Sequence, residues 1–188
     1  MNYMKIDPCD IANGPGVRVT LFVTGCNHHC PGCHNPQTWD PNAGQPFTNK
    51  TLDKIVDLLR SDYIRGLTLT GGDPLYPENR ETVKRICKRV WTEFHGNKDI
   101  WMWTGYVWED IVNDWKTNNL IIPLISVLVD GPFIEAQKDI SLPYMGSSNQ
   151  RVIDIWETIL TDKPVLWWAS EKKERHHDKN EVRSESNH

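Results

Sequence analysis

Runs rich in β-branched and aromatic residues alternate along this chain with stretches of helical period, and that alternation narrows the fold more than any other feature. The runs are 17–24 (VRVTLFVT), 67–70 (LTLT), 100–104 (IWMWT) and 125–129 (ISVLV), each with the length and composition of a strand. Between them three apolar sets recur near i, i+3, i+4 and i+7: Leu52, Ile55, Val56 and Leu59; Val83, Ile86, Cys87, Val90 and Phe94; and Trp108, Ile111, Val112 and Trp115. That spacing is one face of an amphipathic helix. Strand, helix and strand in turn predict right-handed βαβ units, hence an α/β fold with a parallel sheet covered by helices.

With 188 residues the chain suffices for one domain and a short appendage, and falls short of two catalytic domains. After the fourth strand, Val152, Ile155, Trp156 and Ile159 predict a helix and Val165-Leu166-Trp167-Trp168 a strand. From Ala169 onward almost every residue is charged or polar, the composition of a solvated tail. The expected division is a core over 1–151, an extension over 152–168 packed on it, and a disordered charged tail over 169–188. Within that tail, His176 and His177 have no other ligand type placed near them and read as surface residues.

Composition excludes several classes of function. Twenty-one Lys and Arg against 25 Asp and Glu leave a net charge of -4, which argues against nucleic acid or an anionic membrane as the main partner. No stretch approaches the ~20 apolar residues of a membrane span, and Met1 to Pro15 lacks the charged and apolar regions of a secretory leader. The five cysteines are odd in number and unevenly spaced, unlike a disulfide framework. A reducing cytoplasm is the expectation, with the thiols free to bind metal. Cys87 belongs to the apolar stripe of the second helix and reads as core; Cys9 stands alone. Cys26, Cys30 and Cys33 crowd into eight residues.

In parallel α/β folds ligands bind at the carboxyl ends of the strands. The four runs are followed by Gly25-Cys26-Asn27-His28-His29-Cys30-Pro31-Gly32-Cys33-His34-Asn35, by Gly71-Gly72-Asp73-Pro74, by Gly105-Tyr106 and by Asp130-Gly131-Pro132, so these loops should meet on one rim. The C-x3-C-x2-C loop, with a Pro-Gly turn before its last thiol, can wrap three sulfurs around one centre. Two chemistries fit at this point. A structural zinc site takes a fourth ligand, for which His28, His29 and His34 are the candidates. An iron-sulfur cluster with three thiolates leaves one iron open. Paired glycines bring bare backbone close to a ligand, and Asp73 offers a carboxylate to an ammonium group. Asp130 either lines the site or starts a tight turn, while Arg18, Asn149, Gln150 and Arg151 are candidate contacts to a cofactor or partner.

Six motifs in order carry a family resemblance: Asn13-Gly14-Pro15-Gly16-Val17-Arg18, Cys30-Pro31-Gly32-Cys33, Leu69-Thr70-Gly71-Gly72-Asp73-Pro74-Leu75, Trp103-Thr104-Gly105-Tyr106, Val129-Asp130-Gly131 and Gly146-Ser147-Ser148-Asn149-Gln150-Arg151. Together they resemble the radical S-adenosylmethionine superfamily, and within it the small glycyl-radical activating enzymes that serve anaerobic ribonucleoside-triphosphate reductase. The resemblance runs from Met1 to about Arg151.

The resemblance implies a small, incomplete (β/α) barrel with a parallel sheet and a 4Fe-4S cluster at its mouth. Cys26, Cys30 and Cys33 would hold the cluster, whose fourth iron takes S-adenosylmethionine. Gly71, Gly72 and Asp73 would receive the methionine ammonium group, and the backbone around Gly32, Cys33 and His34 would meet the adenine. Reductive cleavage would then yield a radical that removes a hydrogen atom from a glycine of the partner reductase. The implied partners are the large subunit of that reductase, an electron donor such as flavodoxin, and a second copy in a homodimer. His28, His29 and His34 become neighbours of the cluster rather than ligands. Rival readings are an activase for another glycyl-radical enzyme such as pyruvate formate-lyase, favoured by His34-Asn35, and a non-catalytic zinc-binding module.

Overall fold

Side-chain alternation gives the central sheet two unlike faces. In the computed structural model, which describes residues 1–114 and 120–168, the sheet contains β1 (Asn2–Asp10), β2 (Val17–Val23), β3 (Gln45–Pro46), β4 (Ile64–Gly71), β5 (Asp99–Trp103), β6 (Val127–Asp130), β7 (Arg151–Asp154) and β8 (Val165–Leu166). The helices among the described residues are α1 (Asn49–Leu59), α2 (Arg80–Phe94), α3 (Trp108–Asn113) and α4 (Ile155–Thr161). Trp115, expected to end the third helix, and the expected tail 169–188 lie outside the described residues.

The strand order is β3-β1-β2-β4-β5-β6-β7-β8. β2, β4, β5 and β6 run parallel, whereas β1, β3, β7 and β8 pair antiparallel. The parallel sheet expected from the sequence is therefore confined to the middle, and the sheet does not close: β3 and β8 are its two edges. The connections explain this. A parallel pair needs a long crossover, usually a helix, and α1, α2 and α3 supply one after β2, β4 and β5. Between β1 and β2 lie only residues 11–16. Between β6 and β7 the chain forms a single 3-10 turn, Glu135–Gln137, and comes back antiparallel.

Two strands depart from the periodicity reading. β1 alternates poorly, being mostly half-buried and containing Pro8. Val152 and Ile153, expected to open a helix, pair instead with Val129 and Leu128, and α4 begins only at Ile155. A short apolar run fits either period, and the free edge of β6 decides between them. The last strand is likewise limited to Val165–Leu166, without the two tryptophans that follow.

One face of the sheet is aliphatic. Val19, Leu21 and Val23 of β2, Leu67 and Leu69 of β4, Ile100 and Met102 of β5, and Leu128 of β6 are buried in the main core with Leu52, Ile55, Val56 and Leu59 of α1 and Val83, Ile86 and Val90 of α2. α1 is started by Thr48, whose hydroxyl accepts from the Thr51 amide in a capping box, and α2 ends on the left-handed His95. Each such buried aliphatic contributes ~1.5–3 kcal/mol. The opposite face carries Arg18, Thr68, Trp101 and the valines 127, 129 and 152, with Trp103, Tyr144, Met145, Trp167 and Trp168 packed against its apolar part.

Cys87 is wholly buried in the aliphatic core, and burial pushes its thiol up to about 12. Cys87→Ala should therefore cost ~1–3 kcal/mol of unfolding free energy in a urea titration, with no loss of bound iron.

Candidate metal centre and its rim

The four loops at the carboxyl ends of the parallel strands are joined by hydrogen bonds, as the alternation predicted. The Gly72 amide donates to Val23 O and the Asp73 amide to Gly25 O, both at 2.8 Å; Thr104 donates to Val129 O at 3.0 Å and Gly131 to Tyr106 O at 2.9 Å. Glycine is required where these backbones touch. A Cβ on Gly72 would stand 2.7 Å from Gly25 O, and one on Gly105 only 2.3 Å from the His28 ring.

Asp73 sits at the junction, 1% exposed. Its carboxylate accepts from the Leu75 amide at 2.8 Å, the Thr104 hydroxyl at 2.9 and 3.0 Å and the Gly105 amide at 3.0 Å, and it bonds His28 Nε2 at 2.9 Å. These partners use the carboxylate to hold the rim together. Thr104 was not singled out in the sequence; its signal was its place directly after a strand and before Gly105.

The three thiols lie on the loop after β2, free and partly buried. Burial pushes Cys26 up to about 11, with Asp73 adding to the shift against amide hydrogen bonds from His28 and His29. Burial also raises Cys30, opposed by the Phe133 amide, and the Asn35 amide donates to Cys33 Sγ at 3.4 Å. Among the described residues, no group of three or more Cys, His, Asp or Glu side chains is drawn together as a metal-binding set; the three thiols share one loop. The donor set fits an iron-sulfur cluster better than zinc. Backbone N–H groups aimed at sulfur are one of the means by which a protein tunes such a cluster, and the three candidate histidines pack against neighbours on the rim. His28 is bonded to Asp73 and packs edge-on against Tyr106 at 4.6 Å, His29 lies against Trp39 at 4.8 Å, and His34 lies 6.0 Å from Phe133.

Beside the thiols is a cavity of about 390 Å³ whose lining includes Cys33, His34, Thr70, Trp103, Tyr144 and Gln150. Cys33 and His34 line it, Gly71, Gly72 and Asp73 follow the lining residue Thr70 in the chain without lining it themselves, and Gly32 abuts Phe133 and Glu135. Thr70 and Trp103 were missed; both follow from the two-residue period, which sets them on the face opposite the aliphatic core.

Other candidates prove to brace the fold. Arg18 is wholly buried, donating to Thr68 Oγ1 at 2.7 Å and Leu67 O at 2.8 Å and pairing with Asp99 at 2.6 Å. Asn149 and Gln150 tie their loop to Pro132 O and Gly131 O. Asp130 neither lines the cavity nor merely turns the chain: it accepts from the Trp108 amide at 2.7 Å and from Arg151 Nε at 3.0 Å.

Arg151 also grips Glu109 with two hydrogen bonds, at 3.0 and 2.8 Å, which pull the Glu109 carboxyl from 4.5 to about 2. A lowered carboxyl stabilises the fold above its unfolded value and stops doing so as pH falls through its folded value. Glu109 is exposed, so solvent screening holds the effect under ~1 kcal/mol. In acid titrations of stability, Glu109→Gln should trail the wild type at neutral pH and converge with it between pH 4.5 and about 2.

The sequence match defines the class as that of single-cluster iron-sulfur proteins: residues 12–153 match a family described as a 4Fe-4S single cluster domain. The anaerobic ribonucleoside-triphosphate reductase-activating protein of Escherichia coli K12 is 47% identical over 154 residues, which take in 81% of this chain and 97% of that protein. Its namesake from Enterobacteria phage T4 is 47% identical over 152 residues, 81% and 93% of the two chains, and that from Vibrio cholerae 45% over 152 residues, 80% and 96%. The chain belongs to the family of anaerobic ribonucleoside-triphosphate reductase-activating proteins.

Proposed function

We propose that this protein activates an anaerobic ribonucleoside-triphosphate reductase as a radical S-adenosylmethionine enzyme, with Cys26, Cys30 and Cys33 holding a 4Fe-4S cluster. The observation that carries the reading is the placing of three free thiols on one strand-end loop, beside a cavity large enough for a small organic cofactor. The family's name supplies the reductase as partner, and the reduced cluster calls for a one-electron donor such as flavodoxin. When bound, the cluster held by Cys26, Cys30 and Cys33 would supply the electron for reductive cleavage of S-adenosylmethionine, and with it the means to remove a hydrogen atom from a glycine of the reductase.

The chain's own residues do the rest. Asp73 and His28 hold the cysteine loop against the Gly71-Gly72 turn. Gly71 and Gly72 bring backbone close enough to receive an ammonium group. Cys33 and His34 line the cavity from the cysteine loop, Trp103 from the end of β5 and Tyr144 from the loop before β7, so that aromatic and polar side chains share its wall. No helix among the described residues is long and apolar enough to cross a membrane.

After anaerobic reconstitution, iron and sulfide should both approach four per chain; stoichiometric zinc without sulfide would overturn the reading. Cys30→Ala should lose both the cluster and S-adenosylmethionine cleavage, measured as methionine released. Mixing the reduced protein, S-adenosylmethionine and the anaerobic reductase should produce a glycyl-radical doublet in an electron paramagnetic resonance spectrum. A doublet with pyruvate formate-lyase instead would move the protein to the rival activase.

A further inference from the structure

Tyr144 is the most constrained residue in the cavity wall. Its φ is +63°, a left-handed conformation that a bulky side chain keeps only where its surroundings over-determine it. The Trp103 indole N–H donates to its carbonyl at 2.9 Å, and its ring meets Trp101 edge-on at 5.2 Å. The remaining ring contacts come from the end of the described chain. Trp168 lies 6° from parallel to the Tyr144 ring at 6.4 Å, and Trp167 stands edge-on to it at 6.1 Å. Trp167 is itself seated on Trp101 at 5.0 Å and on Trp168 at 5.4 Å. All these centroid separations fall in the range where aromatic pairs attract beyond their buried area. Tyr144, Met145 and Gly146 are consecutive in the cavity wall, and the Gly146 amide donates to the side chain of Gln150, another wall residue, at 2.8 Å. The two tryptophans lie past residue 153, where the family match ends, and are carried back onto the sheet by α4 and by the pairing of β8 with β7.

The geometry points to Trp167 and Trp168 as positioning residues for the cofactor cavity: they clamp Tyr144 in its left-handed conformation and so fix the wall from Tyr144 to Gly146. The inference rests on that cavity being the S-adenosylmethionine site proposed above. A segment added to the family core thereby sets the shape of the core's own binding site, without touching the cofactor. If the pair served only to cover Val127, Val129 and Val152, its loss would lower stability everywhere and single out no part of the wall.

The test compares Trp168→Ala, Trp168→Phe and Trp156→Ala in the full chain. Trp156 is in the same segment but 54% exposed on α4. Two readouts are needed: amide hydrogen exchange across 144–146 in the cluster-free protein, and calorimetric binding of S-adenosylmethionine to the reconstituted protein at matched iron content. Trp168→Ala should speed exchange at 144–146 by about tenfold more than elsewhere and weaken binding by about tenfold, the scale of one well-packed contact. Trp168→Phe, which keeps a flat ring, should return both to within about threefold of wild type, and Trp156→Ala should change neither. Should Trp168→Ala fail to fold, Trp168→Leu makes the same comparison with apolar bulk but no ring. Exchange that rises uniformly, or affinity equal to wild type, would overturn the inference. A wild type that binds no S-adenosylmethionine, yet loosens at 144–146 when Trp168 is replaced, would overturn the proposed function and uphold the clamp.

Discussion

The rim depends on one buried carboxylate. Asp73 gathers donors from three loops, His28 from the cysteine loop, Leu75 from its own turn and Thr104 and Gly105 from the next strand end. A buried carboxylate left unpaired would be costly, so each donor is held firmly. The sheet sets the strand ends side by side, and these bonds, with those from the Asp73 amide to Gly25 O and from Asn79 to Thr24 O, hold the cysteine loop above them. His28 shows how tight the fit is: its ring fills the space where any side chain at residue 105 would have to go.

The sequence reading succeeded where a pattern has one physical interpretation. The stripes of α1 and α2 are buried as their period requires, and four strands followed by glycine-rich loops place those loops on one rim. It failed where identical local patterns permit two outcomes. Nothing in Val152 and Ile153 distinguishes a helix start from an edge strand, and the unpaired edge of β6 settles it. The antiparallel outer strands could not be read either, because neither β1 nor β7 was visible as a strand. In the site, residue types were legible but their tasks less so. Asp73, read as a partner for an ammonium group, also gathers four protein donors; Arg18, read as a contact, and Asp130, read as lining the site or starting a turn, are buried braces. A polar residue's duty is fixed by partners distant in sequence, which spacing does not reveal.

The five thiols are sorted by depth and surroundings. Cys87 lies wholly buried in the aliphatic core, Cys9 is exposed on an outer strand with Tyr63 3.9 Å away, and the rim thiols lie between these extremes. There burial opposes ionisation while backbone amides favour it. This balance suits sulfurs that are charged only in the company of metal.

The anchoring of the cysteine loop also bears on the order of assembly. Its ties reach far along the chain, His28 to a partner 45 residues on and the carbonyl of Thr24 to Asn79, 55 residues on. Contacts of such separation form only after the intervening strands and helices have come together. Small metal domains that lack a core collapse around their ion; here the cysteine loop is anchored to a sheet with an aliphatic core of its own.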